Sequence, residues 1–241
     1  MFLVIKNECR QLIFFVIETK NKYIHFFLSL RFFFIWTLFI ILSYIFLDRS
    51  IAEAIQNNSN HPLIHSFTWI TEFGRADPYL ILFSLWTLSA RYVFKNKALT
   101  MQGSFLLLSI IIPGFLSMIL KIIFGRNRIC LYFDENLYDF HWFIIQFNGD
   151  YASFPSGHTT TIVGIMLAII LLYPKWIIPF VAFAFTVSIS RIFVEAHFLS
   201  DILMGMYIGS IVTLLIYFYF EMKGWLPERF SNGKNTHLLS K

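Results

Sequence analysis

Six long apolar runs, at about 32–47, 79–94, 104–124, 159–173, 176–194 and 202–220, constrain this chain more than any other feature. Only a helix or a closed barrel can satisfy its backbone polar groups inside a bilayer, and a spanning helix needs about 20 apolar residues. The third, fifth and sixth runs reach that length alone. The others reach it with a few flanking residues, such as Ser156 to Pro174 for the fourth. Only 14% of the chain is charged, against about 25% in a typical soluble domain. The fold class expected is therefore all-α: a polytopic membrane protein with a six-transmembrane-helix bundle. An apolar patch at 12–17 is too short to span and should lie on the membrane surface. No small-residue cleavage site follows the first run, so that run should persist as a span. The division expected is a basic cytoplasmic segment over 1–31, a membrane domain over 32–222 and a polar cytoplasmic tail over 223–241.

Charge sets the orientation. With six spans both termini share a side, and that side carries Lys6, Arg10, Lys20, Lys22, Arg31, Arg91, Lys95, Lys97, Lys175, Lys223, Arg229, Lys234 and Lys241 out of 19 basic residues. The positive-inside rule makes it cytoplasmic. The net charge of +5 then reflects topology, and no nucleic-acid partner is expected. Cys9 and Cys130 should face opposite sides and stay unpaired. The outer loop over 48–78 mixes acidic and apolar residues and suits short helices on the bilayer surface. The aromatic-rich loop over 125–155 suits headgroup depth.

Three motifs fall on the outer side, which outside them carries only Arg49, Arg75 and Arg126 as positive charge. Lys121 and Arg128 lie at and after the end of the third span. Pro155-Ser156-Gly157-His158 opens the fourth. Ser190-Arg191 closes the fifth, and His197 and Asp201 open the sixth. Phosphoryl transfer asks mainly for positioning and for positive charge around three equatorial oxygens. Lys121, Arg128 and Arg191 can supply that charge, the arginines in forked fashion. Ser156 can donate its hydroxyl, Gly157 admits an oxygen close to the backbone, and the helix N-terminus there favours an anion. His197 and Asp201 are four apart and share a helix face, so the carboxylate can fix the tautomer and sharpen the other ring nitrogen as a nucleophile. His158 can protonate the leaving oxygen and then activate water. One imidazole must start neutral and the other protonated, which predicts a bell-shaped pH–rate profile.

These stretches resemble the signature of the type 2 phosphatidic acid phosphatase superfamily, which also holds the vanadium haloperoxidases. Its order and spacings recur as KIIFGRNRI from Lys121, PSGH from Pro155 and SRIFVEAHFLSD from Ser190. The resemblance implies a metal-independent, cofactor-free phosphatase in six spans, with His197 as nucleophile and His158 as acid. Ile129 stands where that signature has proline, which should leave Arg128 less preorganised. The resemblance further implies a phosphorylated membrane lipid as substrate, at the outer face of a bacterial cytoplasmic (inner) membrane. Lipid A phosphate leads, with undecaprenyl pyrophosphate, phosphatidate and phosphatidylglycerol phosphate as alternatives. A lipid phosphotransferase and a catalytically silent lipid-binding or transport protein are the rival readings.

Arg126 and His141 read as exposed loop residues. His25, His61, His65 and His237 show no partner spacing. No paired histidine–carboxylate pattern of a hydrolytic zinc site occurs, so no metal is expected. Oligomeric state is not legible.

Overall fold

The first apolar run folds as α1, Leu30–Leu42, capped by the Ser29 hydroxyl, which accepts from the Phe32 N–H. No glycine or proline follows, and the helix passes through a π turn, Ser43–Leu47, directly into α2, Asp48–Gln56. The first outer loop was expected to start at residue 48. Instead the helix continues for two more turns, because Asp48 and Ala52 are buried against the rest of the protein. The structure is a computed structural model that describes residues 26–59, 62–143 and 149–226. Most of the basic lead-in, the patch at 12–17, Cys9, His25, His61 and the tail from 227 lie outside the described residues.

The chain continues as α3, Pro62–Ile70, a 3-10 turn, Thr71–Gly74, and α4, Ala76–Leu88, extended by a π turn to Val93. Then come α5, Lys97–Phe124, the short α6, Ile129–Glu135, α7, Gly157–Leu172, α8, Ile177–Phe193, and α9, Leu199–Met222. Among the described residues there is no strand, only an isolated antiparallel bridge between Arg126 and Phe140. The all-α expectation holds. Among the described residues, four helical stretches are long and apolar enough to cross a membrane: Leu30–Gln56, Lys97–Phe124, Pro174–Phe193 and Leu199–Met222. The second and fourth apolar runs lie in shorter helices, α4 with its π turn and α7. This is a multi-pass membrane protein.

Helix α7 is the axis of the bundle. It is apolar all round, as a helix surrounded by neighbours must be, and packs against α5, α8 and α9. Phe105, Ile162, Ile165, Val187, Tyr217 and Phe218 fill the centre. The outward faces of α1 and α8 expose Phe34, Leu38, Phe39, Ile178, Val181 and Phe185, as side chains facing lipid would.

Small residues let α7 and α9 approach closely, a device membrane helices use where lipid removes the hydrophobic drive to pack. A Cβ on Gly205 would meet the Ser156 carbonyl at 2.7 Å. The Ser156 N–H in turn donates to the Asp201 carbonyl (3.0 Å). The start of α7 is thereby fixed to the first turns of α9.

Candidate active site

The His197 turn shows why five residues separate Arg191 from it. Helix α8 ends at Phe193, Glu195 takes the left-handed conformation (φ 53°), and α9 begins at Leu199. The Arg191 carbonyl accepts from the N–H groups of both Ala196 (3.0 Å) and His197 (3.3 Å), so the turn folds back over the end of α8. His197 is 3% exposed, with Nδ1 facing Asp201 Oδ2 at 3.5 Å, slightly beyond a closed hydrogen bond. Asp201, at the third position of α9, accepts from the Phe198 N–H (3.0 Å) and the Ser153 hydroxyl (2.6 Å). Burial pushes the His197 imidazole down to about 3, against the opposing pull of Asp201 and with further lowering by Lys121. The ring is neutral at physiological pH.

The other motif residues gather around it. Lys121, in the last turn of α5, donates to the Ala152 carbonyl, and its Cε lies 4.0 Å from where a Gly157 Cβ would stand. That space beside Gly157 is otherwise open. Arg128 follows the left-handed Gly125 that ends α5, and its N–H donates to the Asp150 carbonyl (2.9 Å). The Ser156 hydroxyl caps α7, accepting from the Thr159 N–H (3.5 Å) and hydroxyl (3.1 Å). His158, at the second position of α7, is pushed down to about 4 by burial and by the charges of Arg191, Lys121 and Arg128. Both imidazoles are thus held neutral where one was expected to start protonated, and the negative charge of a bound phosphate acts in the opposite sense. Arg128 Nε, Arg191 Nε and His197 Nδ1 are buried with no hydrogen-bond partner among the described residues. Three cations and two imidazoles thus lie within electrostatic reach of one another, an arrangement suited to an oxyanion.

Two parts of the pocket went unanticipated. The first is Arg126, expected as an exposed loop charge but 0% exposed. Its guanidinium pairs with Asp201 Oδ1 and with Asp48 Oδ2 (2.8 Å), and donates to the Ser200 hydroxyl (2.7 Å). Burial opposes its charge, but Asp201 and Asp48 more than offset that and hold it above the ordinary arginine value. Asp48 also accepts from the Ser200 N–H (2.9 Å) and hydroxyl (2.5 Å). An acidic residue ending an apolar run was the available signal. His141, also expected in an exposed loop, is half-buried and packs edge-on against Tyr151.

The second is the 3-10 turn before α4. The Thr71 hydroxyl accepts from Arg191 (2.5 Å), and a Cβ on Gly74 would meet His158 Cβ at 2.8 Å and Cδ2 at 2.9 Å. Neither neighbour is the free end of a flexible chain, so Gly74→Ala must displace His158 or the turn. A shift approaching 1 Å can cost about 10²-fold in rate. Gly74→Ala is expected to lower kcat by about 10–100-fold, measured in detergent alongside the thermal midpoint. An unchanged kcat would show that the turn yields without moving the histidine.

A bundle of apolar helices with cations and two histidines gathered near helix ends is an arrangement that suits a phosphate or similar oxyanion. Residues 102–225 match the PAP2 superfamily, and the chain belongs to it. All three motifs fall within that stretch, whereas Asp48 and the 71–74 turn lie before it. The chain is 32% identical over 133 residues to the lipid A 1-phosphatase of Rhizobium johnstonii, covering 54% of this chain and 53% of that protein. It is 33% identical over 120 residues to the lipid A 1-phosphatase of Rhizobium etli, covering 48% and 50%. The chain therefore aligns with about half the length of these curated relatives. Among solved structures, it is similar to the PAP2 type phosphatidylglycerolphosphate phosphatase of Bacillus subtilis, at 22% identity and TM-score 0.47. That match covers 79% of this chain and 93% of the other.

Proposed function

We propose that this chain is a metal-independent lipid phosphatase of a bacterial cytoplasmic membrane, working at the outer face through a phosphohistidine. The observation that carries the reading is a buried His197 held beside Asp201 and within electrostatic reach of Lys121 and Arg191. Nδ1 faces the carboxylate, which leaves Nε2 to attack phosphorus. The P–O bond to the lipid breaks as the P–N bond forms, and His158 passes a proton to the departing oxygen. His158 then takes a proton from water, which attacks phosphorus, frees His197 and releases inorganic phosphate. Lys121, Arg128, Arg191, Ser156 and the backbone at Gly157 hold the equatorial oxygens.

Three features support a lipid substrate: PAP2 membership, catalytic groups at the ends of spanning helices, and two relatives named lipid A 1-phosphatase. An apolar groove of about 330 Å³, lined by Phe33, Trp36, Ile40, Phe124, Phe154 and Met204, has the polarity of an acyl chain's surroundings. We take the 1-phosphate of lipid A as the leading substrate and six spans with cytoplasmic termini as the topology.

The test is phosphate release by purified protein in EDTA from a panel of lipid A, phosphatidate, phosphatidylglycerol phosphate and undecaprenyl pyrophosphate. Full activity without metal, highest on lipid A, is expected. Activity that returns only with added zinc or magnesium overturns the metal-independent mechanism. A new radiolabelled lipid in place of free phosphate on thin-layer analysis makes the chain a phosphotransferase.

A further inference from the structure

From the buried charges behind the pocket, we infer that Arg126 and Asp48 form a positioning pair that holds Asp201 on His197 and keeps the cluster net negative. The inference rests on the reading of His197 as nucleophile. Arg126 and Asp48 are 0–1% exposed, and Asp201 is 0% exposed.

Geometry supplies the first half of the argument. One nitrogen of the Arg126 fork binds Asp201 Oδ1 and the other binds Asp48 Oδ2. Asp201 Oδ2 is thereby left turned toward Ser153, the Phe198 N–H and His197 Nδ1. The aromatic rings of Phe198, Tyr44, Tyr138 and Phe140 surround the guanidinium, with Cζ 4.4–5.3 Å from their centroids. Such a cage favours a cation by its ring faces and excludes water. A guanidinium fork binds the two carboxylates through separate nitrogens, which the single nitrogen of lysine cannot reproduce.

Charge supplies the second half. Arg126 alone would neutralise Asp201, and a neutral pair gives little support to positive charge on the imidazole. Attack on phosphorus builds that charge on His197. Asp48 brings a second carboxylate, so Arg126, Asp48 and Asp201 carry one net negative charge beside the ring. Asp48 comes from α2, outside the family-matched stretch, and Ser200 ties it to the catalytic turn through two hydrogen bonds. The first helix thereby becomes part of the catalytic machinery without touching substrate.

The experiment compares wild type, Arg126→Lys, Asp48→Asn and the double variant for kcat and KM on the best lipid. Folding is followed by gel filtration in detergent and thermal midpoint. We expect kcat to fall by about 10–100-fold in Arg126→Lys and about 10-fold in Asp48→Asn, with KM within about threefold of wild type. The double variant should be no slower than Arg126→Lys alone, as groups acting as a unit are non-additive. Inhibition by orthovanadate, a phosphate mimic, should be little changed. Wild-type kcat in folded Arg126→Lys or Asp48→Asn, even with a lowered midpoint, makes the pair merely structural and overturns the inference. A raised KM and weakened vanadate inhibition instead place Arg126 on the phosphate, which also overturns it. If Arg126→Lys does not fold, the kcat of Asp48→Asn decides alone. A wild-type chain inactive on every lipid removes the phosphatase reading and this inference together, whereas active wild type with indifferent variants removes only the inference.

Discussion

His197→Gln is expected to release phosphate from lipid at least about 10⁴-fold more slowly than the wild-type chain, with the fold intact. Removing the nucleophile from an enzyme of this kind leaves only the rate supplied by binding and oxyanion stabilisation. Glutamine roughly keeps the ring's volume and can still face Asp201, so the buried turn at 194–198 should close as before. An acid quench would destroy a phosphohistidine, so trapping belongs in alkali. Label from the lipid phosphate should attach to wild type and not to His197→Gln. The pH dependence is a second arm of this prediction. An unperturbed imidazole loses its nucleophilic form as pH falls through about 6.5. Burial pushes His197 down to about 3, so its neutral form should persist through pH 5. The limb of kcat/KM owed to the nucleophile should therefore appear only under strongly acid conditions, after correction for the substrate's own phosphate ionisation. Covalent label on His197→Gln, or wild-type turnover in it, excludes His197 as the attacking group. A His197-dependent fall centred near 6.5 excludes its burial as a neutral base.

How much of this site was legible depends on what kind of constraint each residue obeys. Lys121, Arg128, His158, Arg191 and His197 could be found in one dimension because their spacing is local. A helix end, a left-handed turn at Glu195 and a helix start fix the interval from Arg191 to His197, whatever the remainder of the fold. That the three motifs should share one membrane side is an expectation from counting spans and charges. Arg126 was misread because a charge between two spans is usually solvated, and nothing nearby in sequence marks its partners, 75 and 78 positions away. Asp48 could have been questioned, since an ionisable group ending an apolar run is costly without a partner. Thr71 and Gly74 carried no such flag. Their roles are contacts with Arg191 and His158, made across the bundle. Span count suffered from the opposite problem: apolar length is easily read, but α7 is short and surrounded by protein, so length alone does not separate a core helix from a span.

A change at His158 should separate the two halves of the reaction. With an alkyl leaving group, as in a lipid phosphate, the departing alkoxide needs a proton while the P–O bond breaks. His158→Ala is expected to lower kcat on such a substrate by about 10²–10⁴-fold, the usual contribution of a positioned general acid. An aryl phosphate with an acidic phenol departs without that proton, so phosphorylation of His197 should remain fast in the variant. Its second step still lacks a base for water. The phenol should therefore appear in a burst of about one equivalent per enzyme, followed by slow turnover, while the phosphohistidine accumulates. Wild type should show a smaller burst or none. The cradle is expected to survive the change, because Lys121 is held by the Ala152 carbonyl and Arg191 by Thr71, neither of which depends on the imidazole. Orthovanadate should therefore bind the variant with an affinity close to that of wild type. Equal losses on alkyl and aryl phosphates with no burst would mean that His158 shapes the pocket without moving a proton. The acid would then have to be sought elsewhere along the pocket wall.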